Sequence, residues 1–112
     1  MQLETQTDLL LEIPVQHLPT IRWFKNNWMD LVFEINAKGD CVEFSISYSE
    51  MEDHFNIEWH GSQVFFSQND NTLEQTEKVI QEAQYLLQNH GAKVPADFIE
   101  FVLIRLSAAS SL

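Results

Sequence analysis

The stretch that decides the fold runs from Leu31 to Tyr48. It reads Leu31-Val32-Phe33-Glu34-Ile35, then Asn36-Ala37-Lys38-Gly39-Asp40, then Cys41-Val42-Glu43-Phe44-Ser45-Ile46-Ser47-Tyr48. Leu31, Phe33 and Ile35 alternate with Val32, Glu34 and Asn36, and Val42, Phe44, Ile46 and Tyr48 alternate with Glu43, Ser45 and Ser47. A period of two is the signature of a strand whose side chains point alternately to a core and to water. A turn over Ala37 to Asp40 joins the two strands. It sets Ile35 against Val42, Phe33 against Phe44 and Leu31 against Ile46.

The pattern continues outward from this hairpin. After an acidic loop from Ser49 to Asp53, Phe55, Ile57 and Trp59 alternate with Asn56 and Glu58, and past Gly61-Ser62 come Val64 and Phe66. Pairing Tyr48 with Phe55 puts Phe44 across from Trp59. A two-residue turn at Gly61-Ser62 sets Trp59 opposite Val64 and Ile57 opposite Phe66. Every pairing gathers the large apolar residues on one face, which a one-residue slip would scramble. The expectation is a four-stranded antiparallel meander with one wet face.

Helical signals flank the meander. Thr7 to Ile13 is apolar enough for a short helix ending before Pro14, and Pro19-Thr20 reads as the start of a second, with Ile21, Phe24 and Trp28 on one face. Trp23 falls off that face, as a second core contact or as an anchor for something else. Downstream, Thr72-x-x-Gln75 has the form of a capping box, and Leu73, Val79, Ile80, Ala83, Leu86 and Leu87 make an apolar stripe ending before Gly91. Pro95 suits the first turn of a last helix from Ala96 to Leu106. That helix carries so many apolar residues that it is either nearly buried or partly an interface. The fold class is therefore α+β: the meander, N-terminal helical segments, and two C-terminal helices packed on one face.

Composition sets the class of function. The chain has 112 residues, of which 45% are hydrophobic and 12% aromatic, enough to build one core and too few for a second domain. No apolar run approaches the roughly 20 residues that span a bilayer, and Met1-Gln2-Leu3-Glu4 lacks the positive charge that precedes an export signal. A single cysteine, Cys41, forms no internal disulfide and fits a reducing, cytoplasmic compartment. Seventeen acids against six Lys and Arg give a net charge of −11. Phosphate backbones demand the opposite sign, so direct nucleic-acid binding is disfavoured, whereas a basic protein would be drawn in. The acids also cluster: between Lys38 and Lys78 there are nine, with no Lys or Arg.

The candidate site lies on the meander's wet face, which would present Glu34, Glu43, Ser45, Asn56, Glu58, His60, Gln63 and Phe65. Glu34 and Glu43 fall directly across from each other, a like-charge pair that either splays into water or awaits a cation. His54, Glu58 and His60 share a face at the spacing a strand uses for metal ligands, with Glu43 opposite. The same residues also make an ordinary solvated surface, and no metal or other cofactor is expected. Cys41 with His60 is the only conceivable nucleophile–base pair, both on the wet face, but nothing marks an oxyanion hole. Three glycines cannot build a phosphate loop. No enzyme is expected. Phe65, an aromatic within a charged rim, has the composition of a binding hot spot unless the N-terminal helices cover it. The expected contact surface is Glu34, Glu43, Glu58, His60 and Phe65 with the loop acids Glu50, Glu52 and Asp53.

Size, acidity and the order of elements, with Trp23-Phe24-Lys25-Asn26-Asn27-Trp28 leading into the first strand, resemble the small immunity proteins of bacterial contact-dependent growth inhibition systems. The resemblance is one of layout over most of the chain. It implies a cytoplasmic, non-catalytic inhibitor, monomeric until it pairs with one cognate basic toxin domain, for which a nuclease is the expected activity. It transfers no individual functional residue. Two other readings stand beside it. A secretion chaperone would use the apolar last helix to dimerise, and a nucleic-acid mimic would need its acids spaced over a longer surface.

Overall fold

The computed structural model describes residues 9–50, 53–60, 63–67 and 73–110, with side chains placed throughout except at 50, 53, 54, 63–67, 73–76, 109 and 110. Six strands form one antiparallel sheet in the order of the chain: β1 Leu11–Ile13, β2 Ile21–Lys25, β3 Met29–Ile35, β4 Cys41–Glu50, β5 Asp53–His60 and β6 Gln63–Ser67. Two helices follow, α1 Leu73–His90 and α2 Ala96–Ser110.

The central register is the one the alternation predicts. Leu31 pairs with Ile46, Phe33 with Phe44, and Glu34 with Glu43. Phe44 pairs with Trp59 and Tyr48 with Phe55, while Ile57 meets Phe66 and Trp59 meets Val64. The hairpin between β3 and β4 is held by Asn36, whose Oδ1 accepts from the amides of Lys38 and Asp40 at 2.9 and 3.1 Å. Gly39 supplies the positive φ of 87° that lets the chain reverse there.

One pairing differs. Ile35 sits opposite Cys41 rather than Val42, because a bulge interrupts the ladder between Glu34 and Ile35. Val42 is the extra residue, and its side chain is 38% exposed. The bulge returns Cys41 to the core side, where it packs against the buried cluster instead of facing water beside His60.

The N-terminal helices are a larger correction. Leu11–Ile13 and Ile21–Lys25 are strands that extend the sheet beyond β3, so the sheet has six strands rather than four. Ile21, Phe24 and Trp28 do stand at helical spacing, but Ile21-Arg22-Trp23-Phe24-Lys25 is also β-branched and aromatic, and pairing with β3 outweighs a weak local preference. Asn26 enforces the choice. Its Oδ1 accepts from the amides of Trp28 and Met29, both at 2.9 Å, which closes a tight turn in the middle of the expected helix. Thr20 is no cap either, since its carbonyl accepts from Ile35 N at 2.7 Å. Just before β1, Leu10 is fully buried with its N–H bonded to the last carbonyl of α1, His90 O. Glu12 forms a two-pronged pair with Arg22 at 2.8 and 2.9 Å.

The core lies between one face of the sheet and the helices. Phe24, Leu31, Phe33, Phe44, Ile46 and Ile57 from the strands join Ile80, Ala83 and Leu87 of α1 and Phe98, Val102 and Leu106 of α2. Aromatic contacts link α2 across the central strands: Phe98 to Phe33 at 4.8 Å, and Phe101 to both Phe44 and Trp59. Val79, Ile80, Ala83, Leu86 and Leu87 of the α1 stripe are buried as their spacing predicts, the side chain of Leu73 lying outside the described ones. The helix stops before Gly91, where a Cβ would run into the Leu87 carbonyl. Pro95 offers its carbonyl to the amides of Phe98 and Ile99 at the start of α2. The last helix is mainly core, and Ile104, 53% exposed, is its one outward large apolar residue among the described side chains. The capping-box residue Thr72 and the turn at Gly61-Ser62 lie outside the described residues.

Candidate functional site

The helices leave the other face of the sheet uncovered, and the register turns that face into a grid. One row across the strands runs Ile21, Glu34, Glu43 and, beside Glu43, His60. The next runs Ile13, Trp23, Val32, Ser45 and Glu58. A third runs Leu11, Lys25, Asp30, Ser47 and Asn56. The grid has two halves. Its β1–β3 side carries Leu11, Ile13, Ile21, Trp23 and Val32 with one cation, Lys25, beside Trp23, and its β3–β5 side carries acids, hydroxyls and amides.

The polar side is tied into one chain. Ser47 Oγ donates to Asn56 Oδ1 at 2.8 Å, and Asn56 Nδ2 donates to Glu58 Oε2 at 3.0 Å. His60 Nε2 lies 2.7 Å from Glu58 Oε1, and its Nδ1 lies 3.3 Å from Glu43 Oε1. Both ring nitrogens thus face carboxylate oxygens. Only the imidazolium can donate at both, so the geometry calls for a charged His60.

The electrostatics agree with the geometry. Glu58, and after it Glu43, hold the His60 pKa above its ordinary value, and the His60 bond is the main cause that holds Glu58 below the usual carboxylate range. Glu34 is pushed upward by Glu43 directly across the ladder, with which it shares a hydrogen bond and a like charge. The pair is an acid waiting either for a proton or for a cation.

A pH test follows from the signs. His60 holds its proton more tightly folded than unfolded, so its stabilising contribution is complete below about 6.5 and is lost as pH rises through the higher folded value. Glu58 sets the other limit: its contribution is complete above about 4.5 and is lost as pH falls through its lower folded value. Between those limits His60→Gln is expected to lower the melting temperature by a small amount, because the pair is open to water. As pH is raised further and the imidazolium gives up its proton, the two melting temperatures should converge. A deficit that stays constant across the pH series would show that the imidazolium bridge contributes nothing.

The other expected site residues fall differently. Glu50 and Asp53 pair at the far end of β4 and β5, and Glu50 stands seven residues along the strand from Glu43. At the rise of a strand that is roughly 23 Å, so the acidic hairpin and the acid row occupy opposite ends of the sheet. Phe65 is in register with Glu58 on β6, which extends the second row. Glu52 lies outside the described residues, as do the side chains of Glu50, Asp53, His54 and Phe65. Among the described residues no group of three His, Cys, Asp or Glu side chains is placed to hold a metal ion. Burial, followed by Asp97, pushes the Cys41 thiol up to about 12, which leaves it neutral and a poor nucleophile.

The apolar half of the face was not foreseen. Its members sit on strands that the helical spacing had concealed. Trp23 is half-buried there, with its Nε1 donating to Asp30 Oδ1 at 2.9 Å and Lys25 Nζ 5.6 Å from its ring centre. The signal was present in the alternation Ile21, Trp23, Lys25 and in the Asn26-Asn27 pair that ends it.

Among the described residues, no helix is long and apolar enough to cross a membrane. Compared with protein-family models, with curated proteins and with solved structures, the chain finds no match in any of the three.

Proposed function

We propose that the protein is a non-catalytic inhibitor of the immunity-protein or antitoxin kind, and that it neutralises a cognate basic toxin domain through the open face of the sheet. The observation that carries this reading is the grid: Glu34, Glu43 and Glu58 stand in adjacent strands beside exposed or half-buried Leu11, Ile13, Ile21, Trp23 and Val32. Apolar side chains next to fixed acids are what a protein interface uses, the former for burial and the latter for orientation and rapid encounter. An enzyme that cuts nucleic acid must present a cationic cleft, and carboxylates held at strand spacing complement it. The compact row, two to four strands wide, fits a cleft better than it fits an extended run of phosphates. α2 is mainly buried, so it does not offer the apolar surface through which the secretion-chaperone reading would have the chain dimerise.

The test has two steps. A tagged copy of the protein captures its partner from the source cell. Growth is then scored with the partner expressed alone and together with the protein. Rescue by the native chain, and failure of rescue by Glu43→Lys with Glu58→Lys, is the expected result. The double reversal should slow association about ten- to a hundredfold at low salt, with the deficit shrinking as salt screens the charges. A partner that does not impair growth, or an association rate unmoved by the reversal, overturns the proposal.

A further inference from the structure

The acid row already holds one cation, and it is the protein's own. His60 lies between Glu58 on its own strand and Glu43 on β4, with Glu34 one strand further on. On the β6 side its register neighbour is Gln63, which carries no charge, and both helices lie beneath the opposite face. Next to this bridge the sheet surface dips into a shallow depression of about 180 Å³, lined by Ile21, Val32, Glu34, Glu43, Phe44, Ser45 and His60.

The walls of this depression are of two kinds. Ile21 and Val32 are half-buried aliphatic side chains on β2 and β3, and the carboxylates of Glu34 and Glu43 stand on β3 and β4. An arginine has the same two-part composition, an apolar stem and a planar fork of donors. The fork can meet two carboxylates at once, whereas the ammonium of a lysine is a single point. Like charges directly opposite each other weaken a hairpin, so a guanidinium laid against Glu34 and Glu43 would relieve a repulsion already present. A second copy of this chain is a poor occupant, because seventeen acids against six Lys and Arg repel their own kind.

We infer that this depression receives an arginine side chain of the partner protein, and that seating it drives the proton off His60 into water. The inference rests on the open face being the binding surface. A guanidinium against Glu43 neutralises part of the field that keeps His60 charged, and it brings a like charge close to the ring. The arginine replaces the imidazolium as the counter-ion of the row. Because a proton leaves on binding, affinity rises as pH climbs through the range where free His60 titrates, and levels off above it. One released proton allows at most about tenfold per pH unit.

The probe is a short capped peptide, acetyl-Leu-Arg-Leu-amide, beside its citrulline twin, which keeps the shape of the side chain and loses the charge. Binding is followed by amide chemical shifts in the full-length protein. The arginine peptide should move Ile21, Val32, Glu34, Glu43 and Ser45 and the citrulline peptide should not. Between about pH 6.5 and 8 affinity should rise about three- to tenfold in the native protein, and most of that rise should vanish in His60→Gln; below that window Glu34, pushed upward by Glu43, adds a slope of its own. Glu34→Gln with Glu43→Gln should abolish binding. Equal binding of citrulline, shifts elsewhere, or an unchanged pH slope in His60→Gln would each overturn the inference. The same pH series with the captured partner separates the two levels. If Glu43→Lys with Glu58→Lys abolishes partner binding while His60→Gln keeps the native slope, the arginine pocket is wrong and the binding face stands. If the reversal leaves partner binding intact, the face itself falls.

Discussion

Phe33→Ala is expected to destabilise the protein by about 3–5 kcal/mol, a large part of what holds a domain of this size together. Phe33 is fully buried at the centre of β3. Its ring meets Phe98 of α2 at 4.8 Å and the edge of Phe24 on β2 at 5.9 Å, so it joins both layers and the N-terminal extension of the sheet. Truncation removes the transfer energy of the ring and leaves a void that rigid sheet backbone cannot close. In a thermal melt the loss should appear as a fall of about 12–20 °C. Phe33→Leu, which refills much of the space, should cost under about 1.5 kcal/mol. A drop of only a few degrees for the alanine variant would mean that Phe33 does not couple helix to sheet.

Asn26→Ala should be nearly as damaging, although it removes far less surface. Asn26 is the one buried polar side chain among the described residues. Two backbone N–H groups point at the same side-chain atom, which fixes that atom as the oxygen of the amide. Alanine strips both amides of their acceptor inside the turn between β2 and β3, at a cost of about 2–4 kcal/mol. Asn26→Asp keeps an acceptor oxygen in place and should be the milder change. Equal melting temperatures for the two variants would show that the accepted bonds are not what holds the turn. The same experiment probes the candidate site, because the turn aligns β2 with β3 and so sets Ile21 beside Glu34 and Trp23 beside Val32.

How much of this was legible in the sequence varies along the chain, for physical reasons. Between Leu31 and Phe66 the large apolar residues alternate with Glu, Ser and Asn, so polarity and periodicity agree and the register follows. Glu34 opposite Glu43 came out of that register directly. Before Leu31 the two cues part company. Arg22, though charged, lies on the core side, with its guanidinium over the rings of Phe24 and Phe98 at 5.4 and 5.1 Å and bonded to Glu12. Ile21 and Trp23 lie on the open side. A strand with a basic residue inward and apolar residues outward does not read as a strand by hydropathy, and helical spacing takes its place. The bulge at Val42 was hidden for a different reason, since the residues on either side of it, Cys41 and Glu43, fit an unbroken alternation equally well. The candidate face was therefore half visible: its acids came from the regular strands, and its apolar partners came from the strands that were misread.

The strands pair in the order in which the chain presents them, and every connection in the sheet joins neighbours in sequence. Little loop-closure entropy stands in the way of such a sheet, so it can assemble hairpin by hairpin as synthesis proceeds. The lid on its greasy side comes last, because Phe98, Val102 and Leu106 belong to the final helix. A nascent chain stopped before Phe98 would already own its strands and α1, yet lack the rings that Phe98 and Phe101 lay against Phe33 and Phe44. The interval between the sixth strand and the final helix is thus the hazardous moment in the protein's production, when a chaperone has most to offer.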